Sequence, residues 1–384
     1  MKFQLADMSA LAVRALGRMY RPADQIFAFR LRMPGDRDVL EGMSVRYTAS
    51  VLIGLAGKPG ELIADALHGQ TAEDLCNKLI RNIDTTTNMG DVAQIAWAAR
   101  LLDLPDAHRA MQRLIDLNPL SDRHPTVERA WALSACTAGS RIEHSLGERV
   151  AASLLEAHHP AYGVFAHQAP TARTGRLRSH VFCFADFVYP VMALADWGAA
   201  VGDDRALSAA RSGANRMRST QGPEGQWYWH FDARNGRIIE KYPVYSVHQD
   251  SMAPMALFAA GDACGEDYSN AIAGGMRWLL EPSEIERSLI DTDRDVIWRK
   301  VCRREPSKLT RSVQAGLSAV SAGWRAPGVD RIFPPSRIDF ESRPYHMGWI
   351  LYVWSEARMT HIGELLFGGK KHVSKEPVAN AAPV

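Results

Sequence analysis

The chain has 384 residues, 46% hydrophobic and 23% charged, with a formal net charge of +2. This is the composition of a soluble globular protein, and the near-neutral balance leaves no electrostatic footprint for nucleic acid. The five cysteines (Cys76, Cys136, Cys183, Cys264 and Cys302) are odd in number, widely spread and without a CxxC pair. That argues against a cysteine zinc site and predicts a reducing, cytoplasmic setting.

In chain order, residues 1–22 carry an apolar stretch broken by Asp7, Arg14 and Arg18, which predicts an amphipathic helix rather than a signal peptide. No window reaches 18 uncharged apolar residues, so no membrane span is predicted. Two kinds of helix then alternate. Runs at 44–57, 90–105, 126–139, 184–198, 248–262, 312–324 and 345–358 are apolar nearly all round, as in a helix buried on every side. Between them, at 106–117, 142–159, 204–220 and 267–281, apolar residues recur three and four apart and leave one polar face. After Gly368 the sequence is polar and aperiodic. It predicts a disordered tail over 368–384, with 1–367 as a single domain.

One stretch breaks the helical pattern. Residues 226–243 read as a β-hairpin turning at Asn235-Gly236, because Asn-Gly supplies the positive φ of a tight turn. Alternation places Trp227, Trp229 and Phe231 on one face and Tyr228, His230 and Asp232 on the other. The strand leads through Tyr245 into the apolar helix that starts near His248.

Each apolar helix and its half-exposed neighbour form a hairpin, with a repeat of roughly 40 to 60 residues. Such repeats build either an open solenoid or a closed toroid. A solenoid leaves both helices of a repeat an exposed edge, whereas here one helix of each pair is far more apolar. The expected fold is therefore all-α, an (α/α)6 or (α/α)7 toroid with one β-hairpin inserted near 227–241.

In a toroid the leading residues of the inner helices converge at one end. These are Arg46 and Tyr47, Asp91 and Gln94, Glu128 and Trp131, Asp186 and Tyr189, His248 to Asp250, and Tyr345 and His346. Helix N-termini stabilise carboxylates, so each acid alone reads equally well as a cap. A ring of caps does not require Trp, Tyr, Arg and His beside each one, and together they point to a cleft roofed by the hairpin.

Cleaving a glycosidic bond needs one carboxylic acid and one carboxylate. Asp250 with His248, and Asp186, are the expected catalytic residues, since burial among aromatics raises a carboxyl pKa. Trp227, Trp229, Tyr245, Tyr189, Arg46, Tyr47, Asp91, Glu128 and His346 are the expected substrate-binding residues, although the tryptophans read equally as core. Uronate chemistry is a close variant. Arg46, Arg299 or Arg343 would hold a sugar carboxylate, while Tyr189, Tyr245, His248 or His346 exchange the adjacent proton. No HExxH or phosphate-loop pattern occurs, so neither metal nor cofactor is expected. Gly274-Gly275 inside a helical run predicts close helix packing.

The alternation of inner and outer helices over about residues 5–365 resembles the α/α-toroid enzymes. Those comprise the six-hairpin glycosidases, related uronate hydrolases, lyases and sugar epimerases, and the terpenoid cyclases. Gln221-Gly-Pro-Glu-Gly225-Gln-Trp227 also matches the Gln-x-x-x-Gly-x-Trp pattern that ties helices together in terpenoid cyclases. It occurs once, and the cyclases' Asp-x-Asp-Asp acid motif is missing; Asp291-Thr-Asp293-Arg-Asp295 has another spacing and reads as a polar loop. The resemblance implies a carbohydrate-active enzyme for a small-molecule or oligosaccharide substrate, a hydrolase first and a lyase or epimerase next. The alternatives are an isoprenoid cyclase with an aromatic cavity and a non-catalytic helical scaffold.

Overall fold

A computed structural model describes residues 5–35, 37–168, 180–305, 309–322 and 324–367. The expected tail, 368–384, lies outside the described residues. In chain order the helices are α1 (Asp7–Met19), α2 (Val45–Leu55), α3 (Gly60–Leu67), α4 (Ala72–Arg81), α5 (Met89–Leu101), α6 (Ala107–Asp116), α7 (Thr126–Thr137) and α8 (His144–Ala157). There follow α9 (Ala185–Val201), α10 (Asp204–Ser219), α11 (Ala253–Cys264), α12 (Ser269–Leu280), α13 (Leu309–Val320), α14 (Val329–Ile332), α15 (Pro344–Val353) and α16 (Glu356–Phe367). A π-turn, His248–Met252, leads into α11.

Six helices close into a ring. Going round it, α2 packs on α5, α5 on α7, α7 on α9, and α9 on α11; α15 then joins the π-turn and α11 back to α2. The others stand outside: α4 and α6 against α5, α8 against α7, α10 against α9 and α11, α12 against the π-turn, and α1 against α15. The fold is an α/α toroid with six inner helices. Sequence pattern explains the sorting. From Met89 to Ala99 every residue of α5 except Asp91 is buried, whereas the outer α6 buries only Ala110, Met111 and Leu114. A helix with neighbours on all sides must be apolar on all sides.

The seam that closes the ring is a backbone contact. A Cβ added to Gly54 of α2 would lie 2.0 Å from the Gly348 carbonyl oxygen of α15, and one added to Gly348 would lie 2.8 Å from the Ser50 carbonyl oxygen. Only two glycines permit this approach.

Of the seven apolar runs, the one at 312–324 is not an inner helix. It forms α13, which packs on the strand 238–240 outside the ring and leaves Leu309, Val313, Val320 and Trp324 exposed. The ring has six members because α13 has a sheet edge, not a helix, as its neighbour.

The hairpin is present but differs from expectation. His230–Asp232 pairs antiparallel with Ile238–Glu240, and Val181–Cys183 adds a third strand on the other side. It is one of six small sheets among the described residues. The turn takes four residues rather than two. The Gly236 N–H donates to the Asp232 carbonyl at 2.7 Å with φ +67° at Gly236, and the Asp232 N–H donates to Arg237 at 2.8 Å. Arg234 closes the turn by binding the Asp232 carboxylate at 2.7 Å. The expected alternation fails because regular pairing starts only at His230, after Trp229 has stacked on it with ring centroids 4.3 Å apart.

The Gln-x-x-x-Gly-x-Trp segment ties elements together as its resemblance implies. The Gln221 side-chain amide donates to the Gly225 carbonyl at 2.6 Å and to Ala271 of α12 at 2.8 Å. Gly225, at φ +91°, lies against the Gly274 carbonyl, and Trp227 packs on Gly275. The glycine pair in α12 thus accepts a loop and an indole rather than another helix. The Asp291–Asp295 segment is a surface hairpin in which Asp291 accepts from the Trp298 indole at 3.2 Å and Asp295 binds Arg14 at 2.7 Å.

Candidate active site

Two acids open inner helices with the same local grammar. Asp186 is followed four residues later by Pro190, and Asp250 by Pro254. Proline has no N–H to give to the carbonyl one turn back, so each acid begins its helix with a backbone acceptor to satisfy. For Asp250 the Trp354 indole N–H fills that role at 2.6 Å. The Asp-x-x-x-Pro repeat is a sequence signal that sets these two acids apart from Asp91 and Glu128, the carboxylates that lead the other inner helices.

Each acid is also bound by a histidine from another element. His167 Nδ1 lies 3.0 Å from both Asp186 oxygens, and the Cys183 N–H donates to Asp186 Oδ2 at 2.9 Å. His346 Nε2 lies 2.7 and 2.8 Å from the Asp250 oxygens, and the Ser251 hydroxyl donates to Asp250 Oδ1 at 2.9 Å. Both carboxylates are fully buried. The pairs differ in access: the His167 side chain is 43% exposed, that of His346 only 4%. Hydrogen bonding and charge from Asp186 hold the His167 imidazole above its ordinary pKa, and the Glu128 charge adds to the rise. His248 goes the other way, pushed down to about 3 by burial, and is a neutral imidazole.

Most of the remaining sequence-predicted residues meet at this end of the ring. Arg46 Nε binds Asp91 at 2.6 Å, its Nη2 lies 3.4 Å from Glu128, and its guanidinium sits 5.1 Å over the Trp131 ring. Tyr47 accepts from Arg343 at 2.7 Å and packs on Tyr345 with centroids 4.7 Å apart. Tyr189 contacts both Trp131 and Trp349, at 5.2 and 6.1 Å between centroids. Tyr245 lies under the Arg299 guanidinium at 5.1 Å and beside Trp229 at 5.1 Å. Burial raises the phenol pKa of Tyr189, Tyr245 and Tyr345, so these hydroxyls stay protonated.

The arrangement has two tiers. A rim of Arg46, Tyr47, Asp91, Glu128, His167, Trp229 and Tyr345 is part-exposed; a floor of Asp186, Tyr189, His248, Asp250 and His346 lies beneath it, buried. Trp227 belongs to neither tier. It is fully buried in the core, its indole N–H donating to the Met217 carbonyl at 3.0 Å. Sequence reasoning missed His167, Glu341 and Arg311. Buried Glu341 binds Arg30 at 3.0 Å, Arg299 at 2.5 Å and Arg343 at 2.8 Å, and so gathers three guanidinium groups at one side of the rim. Arg311 lies 4.8 Å over the Trp229 ring.

Among the described residues no group of three or more His, Cys, Asp or Glu side chains stands at metal-binding geometry, and no helix is long and apolar enough to cross a membrane.

No protein-family model matches the chain, and no curated protein matches it. Solved structures do. A possible GH105 family member from Klebsiella pneumoniae superposes with a TM-score of 0.55 at 10% identity, covering 94% of this chain and 93% of that one. A possible GH105 member from Salmonella enterica gives 0.54 at 9% identity, with 96% of each chain covered. A glycosyl hydrolase family 88 protein from Bacteroides vulgatus gives 0.51 at 11% identity, covering 94% of this chain and all, 100%, of that one. At such identities the likeness is one of fold, and it is the fold derived above: the chain is an α/α toroid.

Proposed function

We propose that the protein is a carbohydrate-active enzyme working by acid/base chemistry on a glycoside or uronate at the inner-helix N-terminal end of the toroid, hydrolysis first. One observation carries this reading: His167, held by buried Asp186, reaches the part-exposed rim within the electrostatic influence of Glu128. A histidine with a raised pKa supplies imidazolium near neutral pH and suits protonation of a leaving oxygen. Glu128 and Asp91, drawn together by Arg46, are the carboxylates nearest to solvent, and one of them activates water. Asp186 fixes the His167 tautomer and orientation. Asp250 acts in this scheme through His346, as a positioning residue beneath the rim. Trp131, Trp229 and the tyrosines offer flat faces to sugar rings.

A second reading, elimination or epimerisation of a uronate, is favoured by the three arginines around Glu341 beside Tyr47, Tyr245 and Tyr345. Guanidinium groups bind a sugar carboxylate bidentately, and a phenol or imidazole exchanges the neighbouring proton. In this reading the described residues form one domain.

The test is turnover of a panel of neutral and uronate-bearing oligosaccharides, with product analysis. Hydrolysis yields new reducing ends without a carbon–carbon double bond, elimination yields the unsaturated sugar, and epimerisation yields neither. His167→Ala and Glu128→Gln should each lower kcat by roughly 100-fold or more with folding intact, and Asp250→Asn, which only loosens the hold on His346, should lower it less. Full activity in His167→Ala, or binding without turnover of any substrate, would remove this assignment.

A further inference from the structure

One outer helix is built inside out. α13 turns Thr310, Gln314 and Ser318 into the protein and leaves Leu309, Val313 and Val320 in solvent. Both sets recur at the spacing of helical turns, so they stand on opposite faces of one cylinder. The inward face is fastened by hydrogen bonds. The Ser318 hydroxyl hydrogen-bonds His180 Nε2 at 2.8 Å, the Ser318 carbonyl accepts from Arg234, and Gln314 Oε1 accepts from the Ala326 N–H at 3.0 Å. Rotating the helix to bury its apolar side would break all three bonds and strand polar groups against the strand 238–240.

Among the described residues thirteen large apolar side chains are exposed, and five of them, Leu309, Val313, Val320, Trp324 and Ile332, fall between 309 and 332. Such concentration marks an interaction surface rather than the single scattered residues of any soluble protein. Val320 is 81% exposed and Trp324 58%. Gln314 of α13 lines one concavity together with Arg325, Val329 and Arg331, so the helix and the segment that follows it are neighbours in space.

The charge around this face says what covers it. Arg304, Arg325 and Arg331 are exposed beside it. The acids of the same stretch are already occupied, Asp330 by buried Arg303 at 2.8 Å and Glu305 by the Thr310 N–H at 2.5 Å. A second copy related by a two-fold axis would set the same cations against each other. An anionic lipid surface instead neutralises them and receives the apolar stripe, with Trp324 at the depth where indoles sit between headgroup and hydrocarbon. With 12 residues α13 lies on such a surface rather than crossing it. We propose that α13 with Trp324 is a docking element for anionic phospholipid membranes. It stands outside the ring and is independent of the chemistry assigned to the rim.

The full-length protein is sedimented with vesicles of seven parts phosphatidylcholine to three parts phosphatidylserine, and with vesicles of phosphatidylcholine alone. Binding should be roughly tenfold or more tighter to the anionic vesicles and should weaken as salt is raised. Val320→Asp should weaken it by roughly tenfold or more with the melting temperature unchanged, because the side chain is exposed. Ile115→Asp, at an exposed apolar position on the outer helix α6, should leave it unchanged. Arg304→Gln combined with Arg331→Gln should lower affinity for the anionic vesicles by roughly tenfold and bring it near that for phosphatidylcholine. Sedimentation velocity without lipid tests the other occupant, and Val320→Asp should leave the oligomeric state as it is. A dimer that Val320→Asp dissociates would give the face to a second copy and overturn the proposal. So would absence of binding to anionic vesicles, equal binding to both vesicles, or unchanged binding of Val320→Asp.

Discussion

His167 and Asp186 show how one contact converts a buried acid into a reactive device. The carboxylate, sealed from solvent, cannot itself reach a substrate in this conformation, but the imidazole it holds does reach the rim. Because Asp186 raises the His167 pKa, the pair adds stability that is fully present below the ordinary value of 6.5 and is lost as pH rises through the folded-state value. His167 is part-exposed, so solvent screens much of this energy, and the titration itself is the better readout. Its NMR midpoint should lie above 6.5 in the native protein and drop in Asp186→Asn; an unchanged midpoint would mean that Asp186 does not control it. Asp186 and Asp250 were legible in the sequence as acids that open inner helices. Their pairing with histidines was not, and His167 itself was missed, because His167 and His346 lie 19 and 96 residues away and only the fold brings them within 3.0 Å. Trp227 shows the converse: an aromatic in a conspicuous run turned out to be core.

Helices that are apolar all round announced themselves, and six of the seven runs read that way are the inner ring. The failure at 312–324 is instructive, since small residues such as Ala, Ser and Gly make an outer amphipathic helix look uniformly apolar. What pattern does not show is how closely two helices approach. Along the seam between α2 and α15 the backbones touch at Gly54 and Gly348, so ring closure depends on two absent side chains. Gly54→Ala should destabilise the protein by about 1–3 kcal/mol or more in a denaturant titration, through overpacking against a carbonyl that cannot yield. Gly316→Ala in α13 is the control. It meets nothing within 4 Å, and the better helix propensity of alanine should make it neutral or stabilising by up to about 1 kcal/mol. Equal effects at the two positions would show that the seam is not tight.

At the scale of the molecule, one hydrophobic cluster runs from Leu5 to Ile362, through both rings of helices. Within it two histidines are held neutral: burial pushes His158 down to about 4 and His248 to about 3. Between those values and 6.5 the unfolded chain binds more protons than the folded one, so stability falls as pH falls, by up to about 1.4 kcal/mol per pH unit for each group. His167 opposes this, and so does Asp196, whose carboxyl desolvation raises to about 7. The readout is therefore a difference: His158→Gln should lose less melting temperature than the parent between pH 7 and pH 5, and an unchanged loss would contradict neutral burial of His158. By itself the sequence determined most of the helices, though not α3, α4, α14 or α16, the all-round apolar character of the six inner members and the end of the ring where polar groups gather, because burial period and helix starts are local properties written in neighbouring residues. Only the tertiary structure decided that the ring has six members and that the two leading acids are covered by histidines. Those outcomes depend on contacts between residues far apart in the chain, and no local pattern encodes which partner a buried charge will meet.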